Sequence, residues 1–436
     1  MNPPRVFSAT SRVVSAGTAI AILYVGWIVM SPHVRFPELV DLRIERLLMA
    51  IGWIVALLFV RRERSAISAV SLGILFFFLA MSVSHSASPY PNNYEVVWWG
   101  EEYWKRVVFF FLLTFLIPNK VELHRLIVWS GVVLFLYVGY SLFDFAKGGS
   151  YVWQQGIRRA VGVWSGGGIG AANEFGFLGL FAIPFGVYIW LQAKKRWEYM
   201  LALATLGVAV LAILLSGTRA AVVCGLLLAA VALRGKYAQV KYGFGILAIL
   251  ALIWVNLPID VQNRYLSILP SVNTEQVAGD VAASSAQSRI EGFKDGYRLF
   301  RKRPILGYGP GSSPYARLEV SEYAKFDPAD PSYLQLHNLY GQVIGEGGIL
   351  AALAFGLLLF LAWSAAKKAR SVATSHDGND LDMASMGEFL TLALIGIFSY
   401  GMFSHNLYSY EWLYLFAIAS IMRRLVLTLD LRTAKV

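Results

Sequence analysis

Long apolar windows broken by short charged or turn-forming segments set the plan of this chain. They lie near 14–30, 47–60, 66–83, 106–117, 124–144, 174–192, 198–215, 219–233, 238–256, 338–365, 386–403 and 408–428. A helix rises about 1.5 Å per residue, so most of these windows match a hydrocarbon core of about 30 Å, the short ones once flanking residues are included. The pattern predicts an all-α polytopic membrane protein of about twelve transmembrane helices. Residues 1–256 would hold helices one to nine, 257–336 a long loop domain with short helices, and 337–436 the last three helices and a tail.

Composition agrees with this plan. Apolar residues make up 57% of the chain and charged residues 15%, more apolar surface than one soluble core can hide. Aromatic residues beside charges, as at Trp98, Trp99, Tyr103 and Trp104, suit the headgroup layer. With the N-terminus inside, 20 of the 38 lysines and arginines fall in alternate segments, which predicts that both termini are cytoplasmic and that the long loop faces outward. The first window follows Arg5 and Arg12 but lacks a small-residue cleavage pattern, so it is read as a retained span. The single cysteine, Cys224, excludes an intramolecular disulfide.

Three outward features place charge where the bilayer disfavours it. Ser216-Gly217-Thr218-Arg219 forms a turn in which a hydroxyl can cap the next helix, and Arg219 then stands at a helix N-terminus. That end already carries about half a positive charge, so the arginine either awaits an anion such as a phosphate or snorkels to the headgroups. In the loop, Ile290, Phe293, Tyr297 and Phe300 follow the spacing of an amphipathic helix over 285–303, with Arg289 the basic residue turned furthest toward the aromatic face. The surrounding cations read as a solvated or headgroup-facing side. His337-Asn338 opens a helical stretch that, if straight to Ala365, would run about 43 Å, leaving His337 at the outer boundary within reach of water and headgroups. Glu346, nine residues on, lies half a turn out of phase and about 13.5 Å away along the axis, and is read as structural. Gly341, Gly345 and Gly348 offer a small-residue face for another helix. His337-Asn338-Leu339-Tyr340 recurs as His405-Asn406-Leu407-Tyr408, a match read as coincidence rather than as a repeat.

His337-Asn338 followed by Glu346-x-Gly348, and preceded by Pro304-Ile305-Leu306-Gly307-Tyr308-Gly309, resembles the conserved block of the bacterial O-antigen ligase and polymerase family. Ser216-x-x-Arg219, Ser288-Arg289, and Arg159-Ala160-Val161-Gly162 leading to Asn173 extend the likeness over about residues 150 to 365. The family's usual Asn-Pro-Asn stands here as Ala172-Asn173-Glu174.

The resemblance implies transfer of a glycan from an undecaprenyl-diphosphate-linked donor to a hydroxyl of lipid A-core oligosaccharide, at the periplasmic face of a Gram-negative inner membrane. In that reading His337 is the base and Arg219 and Arg289 bind the diphosphate. Arg159, Asn338 and His405 are secondary candidates; Arg158 is a possible substitute for its neighbour, and Tyr315 and Tyr333 are sugar-stacking or interface residues. No acidic cluster or paired histidine motif appears on the outer side, so the reaction is expected to use no metal or cofactor and to invert the anomeric centre. Membrane lipids are expected partners and nucleic acid is not. The alternatives are an O-antigen polymerase using the same donor and a lipid or anion transporter.

Overall fold

The computed structural model describes residues 9–34, 36–59, 67–154, 156–163, 171–234, 255, 259–266, 276–321, 335–375 and 381–433. The longer helices are α1 (Ala9–Met30), α2 (Ile44–Phe59), α3 (Ala69–Ser86), α4 (Tyr94–Leu116) and α5 (Lys120–Ala146), then α6 (Ala171–Gln192), α7 (Arg196–Leu215) and α8 (Arg219–Ala232). After them come α9 (Ile259–Leu266), α10 (Gln276–Lys302), α11 (Leu339–Ser375), α12 (Leu381–Tyr400) and α13 (Tyr410–Thr433). Six of these helices are long and apolar enough to cross a membrane by length and composition, with Ala16–Met30 and Arg219–Ala232 as shorter apolar helices. The chain is therefore a largely helical integral membrane protein. The predicted window 238–256, apart from Val255, and Tyr333 lie outside the described residues. One addition to the all-helical expectation is a two-stranded antiparallel hairpin, β1 (Tyr151–Gln154) and β2 (Ile157–Ala160), with Tyr151 opposite Ala160.

The chain divides into two compact units. The first comprises residues 1–130, 289–394 and 401–436. Its centre is α13, where Trp412 to Ile418 and on to Met422 are buried on all sides, as in a helix enclosed by others. Trp412 meets Phe355 of α11 edge to face at 5.2 Å, and Phe355 in turn tilts against Phe77 of α3. Buried Arg424 donates to Thr114 O at 3.0 Å and to Ile117 O, so a cation closes the carbonyl end of α4. Ser68 and Ser71 form a capping box that starts α3.

One expectation about the first unit is corrected. The helix after His337 is not straight: Gly348 has φ 61° and ψ −160°, which breaks α11. The break frees backbone groups that must be paired elsewhere. Residues 304–313 supply the partners: Tyr308 N donates to Gly345 O at 3.1 Å, Gly309 N to Glu346 O at 2.8 Å, and Ile349 N to Pro304 O at 2.8 Å. Ser84 Oγ of α3 adds bonds to Leu306 O at 2.5 Å and Glu346 O at 2.8 Å. The amphipathic helix expected over 285–303 forms the later part of α10, and its aromatic stripe faces away from the packed side. Ile290, Phe293 and Tyr297 are exposed, whereas Glu291, Asp295 and Leu299 are buried. Gly292 and Gly296 face Gly341 and Gly345 of α11, the small-residue surface anticipated for that helix.

The second unit comprises residues 131–288 and 395–400. Here α6 packs closely on α7, with Gly179 against Ala209 and Ala212, and Gly186 against Leu206. Short α9 docks by Tyr265, whose hydroxyl donates to Leu214 O at 2.7 Å, and by Arg264, whose Nε donates to Gly217 O at 2.7 Å.

The glycine contact between α10 and α11 leaves no room for a side chain. A Cβ at Gly296 would stand 2.6 Å from Gly341 O. Gly296→Leu should therefore lower stability by at least about 1–3 kcal/mol, the usual cost of overpacking, read as a drop in thermal midpoint in detergent. An unchanged midpoint would contradict this packing.

Candidate functional site

In the first unit His337 and Asn338 are held from both sides. Asp295 is fully buried and accepts from Arg317 Nε at 2.7 Å and Arg298 Nη1 at 2.8 Å. Arg317 Nη1 reaches Gln335 O at 3.2 Å, two residues before His337. His337 itself takes φ 48°, a left-handed backbone that histidine tolerates better than most residues. Asn338 then starts α11: its Oδ1 accepts from Gly341 N at 2.9 Å, the bond of a helix N-cap.

Asn338, Gln342 and Glu346 are four residues apart and so form one stripe of α11. All three bind the segment 401–408. Asn338 Nδ2 donates to Met402 O at 3.1 Å, Leu407 N donates to Gln342 Oε1 at 3.3 Å, and Tyr408 OH donates to Glu346. Glu346, fully buried, also accepts from Gly311 N at 3.1 Å, Ser313 N at 3.3 Å and Gln342 Nε2 at 3.4 Å. These bonds lead away from His337, as its helical phase requires.

The clamp brings His405 to His337. Their Nδ1 atoms are 3.2 Å apart, and the rings meet at 62° with centroids 5.0 Å apart. Arg289 lies over the Phe403 ring at 5.6 Å. Burial, followed by the nearby His405, Arg289 and Arg317, holds the His337 pKa well below the ordinary imidazole value. Burial lowers that of His405 as well. Two uncharged imidazoles thus stand beside a guanidinium, a set able to accept a proton and to attract an anion. The repeated tetrapeptide read as coincidence is here a spatial pairing, through its two histidines.

Arg159 and Arg219 belong to the second unit. Arg159 is 1% exposed and its guanidinium is spent on the protein: Nε to Ser216 O at 2.6 Å, Nη1 to Gln154 Oε1 at 2.5 Å, and Nη2 to Asn173 Oδ1 at 2.7 Å. Arg158 packs over Phe145 and Tyr151 and donates to Phe145 O at 2.7 Å. Arg219 is the first residue of α8, as expected, and half-buried. The hydroxyl cap expected before it is absent. Thr218 occupies the cap position, but its side chain donates to Ala172 O at 3.1 Å, and Ser216 Oγ turns back to Ile213 O at 2.9 Å.

Sequence reading missed Gln342, Tyr408, Phe403 and the Asp295 pair. The four-residue spacing of Asn338, Gln342 and Glu346 was a usable signal; the others are linked only by folding. Tyr315, read as a stacking or interface residue, bonds through its hydroxyl to Glu95 at 2.9 Å.

Removing the carboxyl group that gathers these donors should be costly. Glu346→Leu would strand two backbone amides and the Tyr408 hydroxyl, with an expected loss of about 3 kcal/mol or more, whereas Glu346→Gln keeps one acceptor and should lose less. Equal thermal midpoints for the Leu variant and the parent would contradict the clamp.

A search of the curated proteins found no match. Residues 204–356, from within α7 to within α11, match the family model described as O-antigen ligase. The matched segment includes Arg219, Arg289, His337, Asn338 and Glu346, and it ends before His405 and begins after Arg159. The segment from within α7 to within α11 thus carries a domain similar to that of the O-antigen ligase family.

Proposed function

We propose that the protein transfers O-antigen polysaccharide from an undecaprenyl-diphosphate-linked donor to a hydroxyl of lipid A-core oligosaccharide, at the periplasmic face of a Gram-negative inner membrane. The family match supports the coarse activity, ligase- or polymerase-type glycan transfer in a membrane. The observation that carries the finer reading is the pairing of His337 with His405, Nδ1 to Nδ1 at 3.2 Å, in the field of Arg289.

In this reading Nε2 of His337 takes the proton of the acceptor hydroxyl as its oxygen attacks the anomeric carbon. The bond from that carbon to the diphosphate oxygen breaks, and its electron pair leaves with the diphosphate. Arg289 stabilises the negative charge that accumulates there. A single displacement inverts the anomeric centre, and the guanidinium supplies the charge without a metal. Arg219 is a second diphosphate ligand in this proposal, on the strength of its place at a helix start.

The electrostatics also couple donor to base. Arg289 and Arg317 disfavour the imidazolium of His337 in the free protein, and an arriving diphosphate offsets that field. The base is then strengthened once the donor is bound.

Reconstituted protein, lipid-linked O-antigen and rough lipopolysaccharide should give a glycan ladder without nucleotide or metal. His337→Ala should reduce transfer by about 10²–10⁴-fold while donor binding persists. Arg289→Ala and Arg219→Ala should raise the donor KM, with Lys at position 219 restoring only part because it lacks the guanidinium fork. Full activity of the His337 variant would remove it as the base. A deletion strain should make rough lipopolysaccharide and accumulate long lipid-linked chains; addition of a single repeat instead would indicate a polymerase.

The pH dependence follows from the signs. A base acts in its neutral form, and a lowered pKa keeps that form as pH falls. In kcat/KM, which reports the free protein, transfer should therefore persist below the ordinary histidine range of about 6.5. The acidic limb of kcat, which reports the donor complex, should lie at higher pH than that of kcat/KM. Coincident limbs near 6.5 would contradict the coupling.

A further inference from the structure

Histidine 405 lies outside the residues that match the family and has no assigned part in the reaction. We propose that His405 is a positioning residue: it accepts a hydrogen bond from Nδ1–H of His337 and so leaves Nε2 of His337 bare to take the acceptor proton. This rests on His337 being the base.

The two Nδ1 atoms stand 3.2 Å apart. Two bare nitrogens at that distance would repel through their lone pairs, and two N–H groups would collide. A neutral pair therefore holds one proton between its Nδ1 atoms. If that proton belongs to His405, then His337 carries its own proton on Nε2 and is a donor, unable to act as a base there. If it belongs to His337, Nε2 is bare. Only the second arrangement serves general-base catalysis, and only a fixed acceptor at the position of His405 Nδ1 selects it.

His405 is fixed to a degree its loop position does not suggest. Three residues before it, Met402 O accepts from Asn338; two residues after it, Leu407 N donates to Gln342; one further on, Tyr408 OH donates to Glu346. All three partners project from the helix that His337 precedes, so both imidazoles are referred to one rigid element. His337 is held independently through Arg317 and Gln335 O. The charged groups acting on His337 are Arg289 and Arg317, with Asp295 bound to Arg317. When Nε2 takes the proton, the imidazolium forms with Nδ1–H still directed at His405, which stabilises the new charge. After product departs Nε2 gives this proton to solvent water, and the pair returns to its starting tautomers.

The chain has six histidines, so selective ¹⁵N-histidine labelling in liposomes can resolve them, with His337→Ala and His405→Ala giving the assignments. The expected result is a pyrrole-type Nδ1 and a pyridine-type Nε2 for His337. That preference should weaken in His405→Leu and persist in His405→Asn, whose Oδ1 stands where Nδ1 was. In transfer assays His405→Leu should lower kcat by about 10²-fold with the donor KM unchanged, and His405→Asn should recover most of it. A protonated Nε2 on His337 in the wild type, or an Asn variant as slow as Leu, overturns the proposal. If His337→Ala keeps full transfer, the base assignment fails by itself, while the nitrogen shifts still decide the tautomer.

Discussion

A carboxyl group buried in the first unit, that of Glu346, is the constraint on which the site depends. Left unpaired in such a place it would be strongly destabilising, so the chain around it is arranged to deliver donors. They come from the turn at Gly311 and Ser313, from Gln342 one helical turn away, and from Tyr408 after α12. One group therefore joins three segments that are remote in sequence. The break at Gly348 is part of the same arrangement, because the carbonyls it releases are taken up by the turn that also serves Glu346.

Directional bonds specify register where apolar contacts tolerate sliding, and this distinction matters most in a membrane, where lipid competes equally for apolar surface. Along α11 the polar stripe fixes the segment bearing His405, and the glycine face fixes α10. Together they bring His405 to His337 and Arg289 to Phe403. The second unit uses the same device differently. Arg159, at the end of the hairpin, ties the α7–α8 turn to Gln154 and Asn173.

How much of this could be read in advance varied with the kind of signal. Arg219 at a helix start, Asn338 and His337 at the head of α11, and Glu346 out of phase with His337 all followed from local spacing, and local spacing survives folding. The amphipathic pattern over 285–303 located the later part of α10 but did not say what its apolar face meets. Apolar periodicity marks a face that avoids water, and in a membrane protein that face can meet lipid as well as protein. The protein-facing side of α10 is instead marked by Gly292, Gly296 and the buried Asp295, where close approach and ion pairing replace bulk.

The amino-acid sequence alone determined the helical membrane class, the ends of several helices, and the residues able to hold a proton or an anion, because those depend on hydrophobicity and near-neighbour periodicity. The tertiary structure decided which faces pack, where α11 breaks, that Thr218 bonds sideways rather than capping, and that His337 meets His405. Each of these is set by partners tens to hundreds of residues away competing for the same hydrogen bonds, and no spacing along the chain records the outcome of that competition.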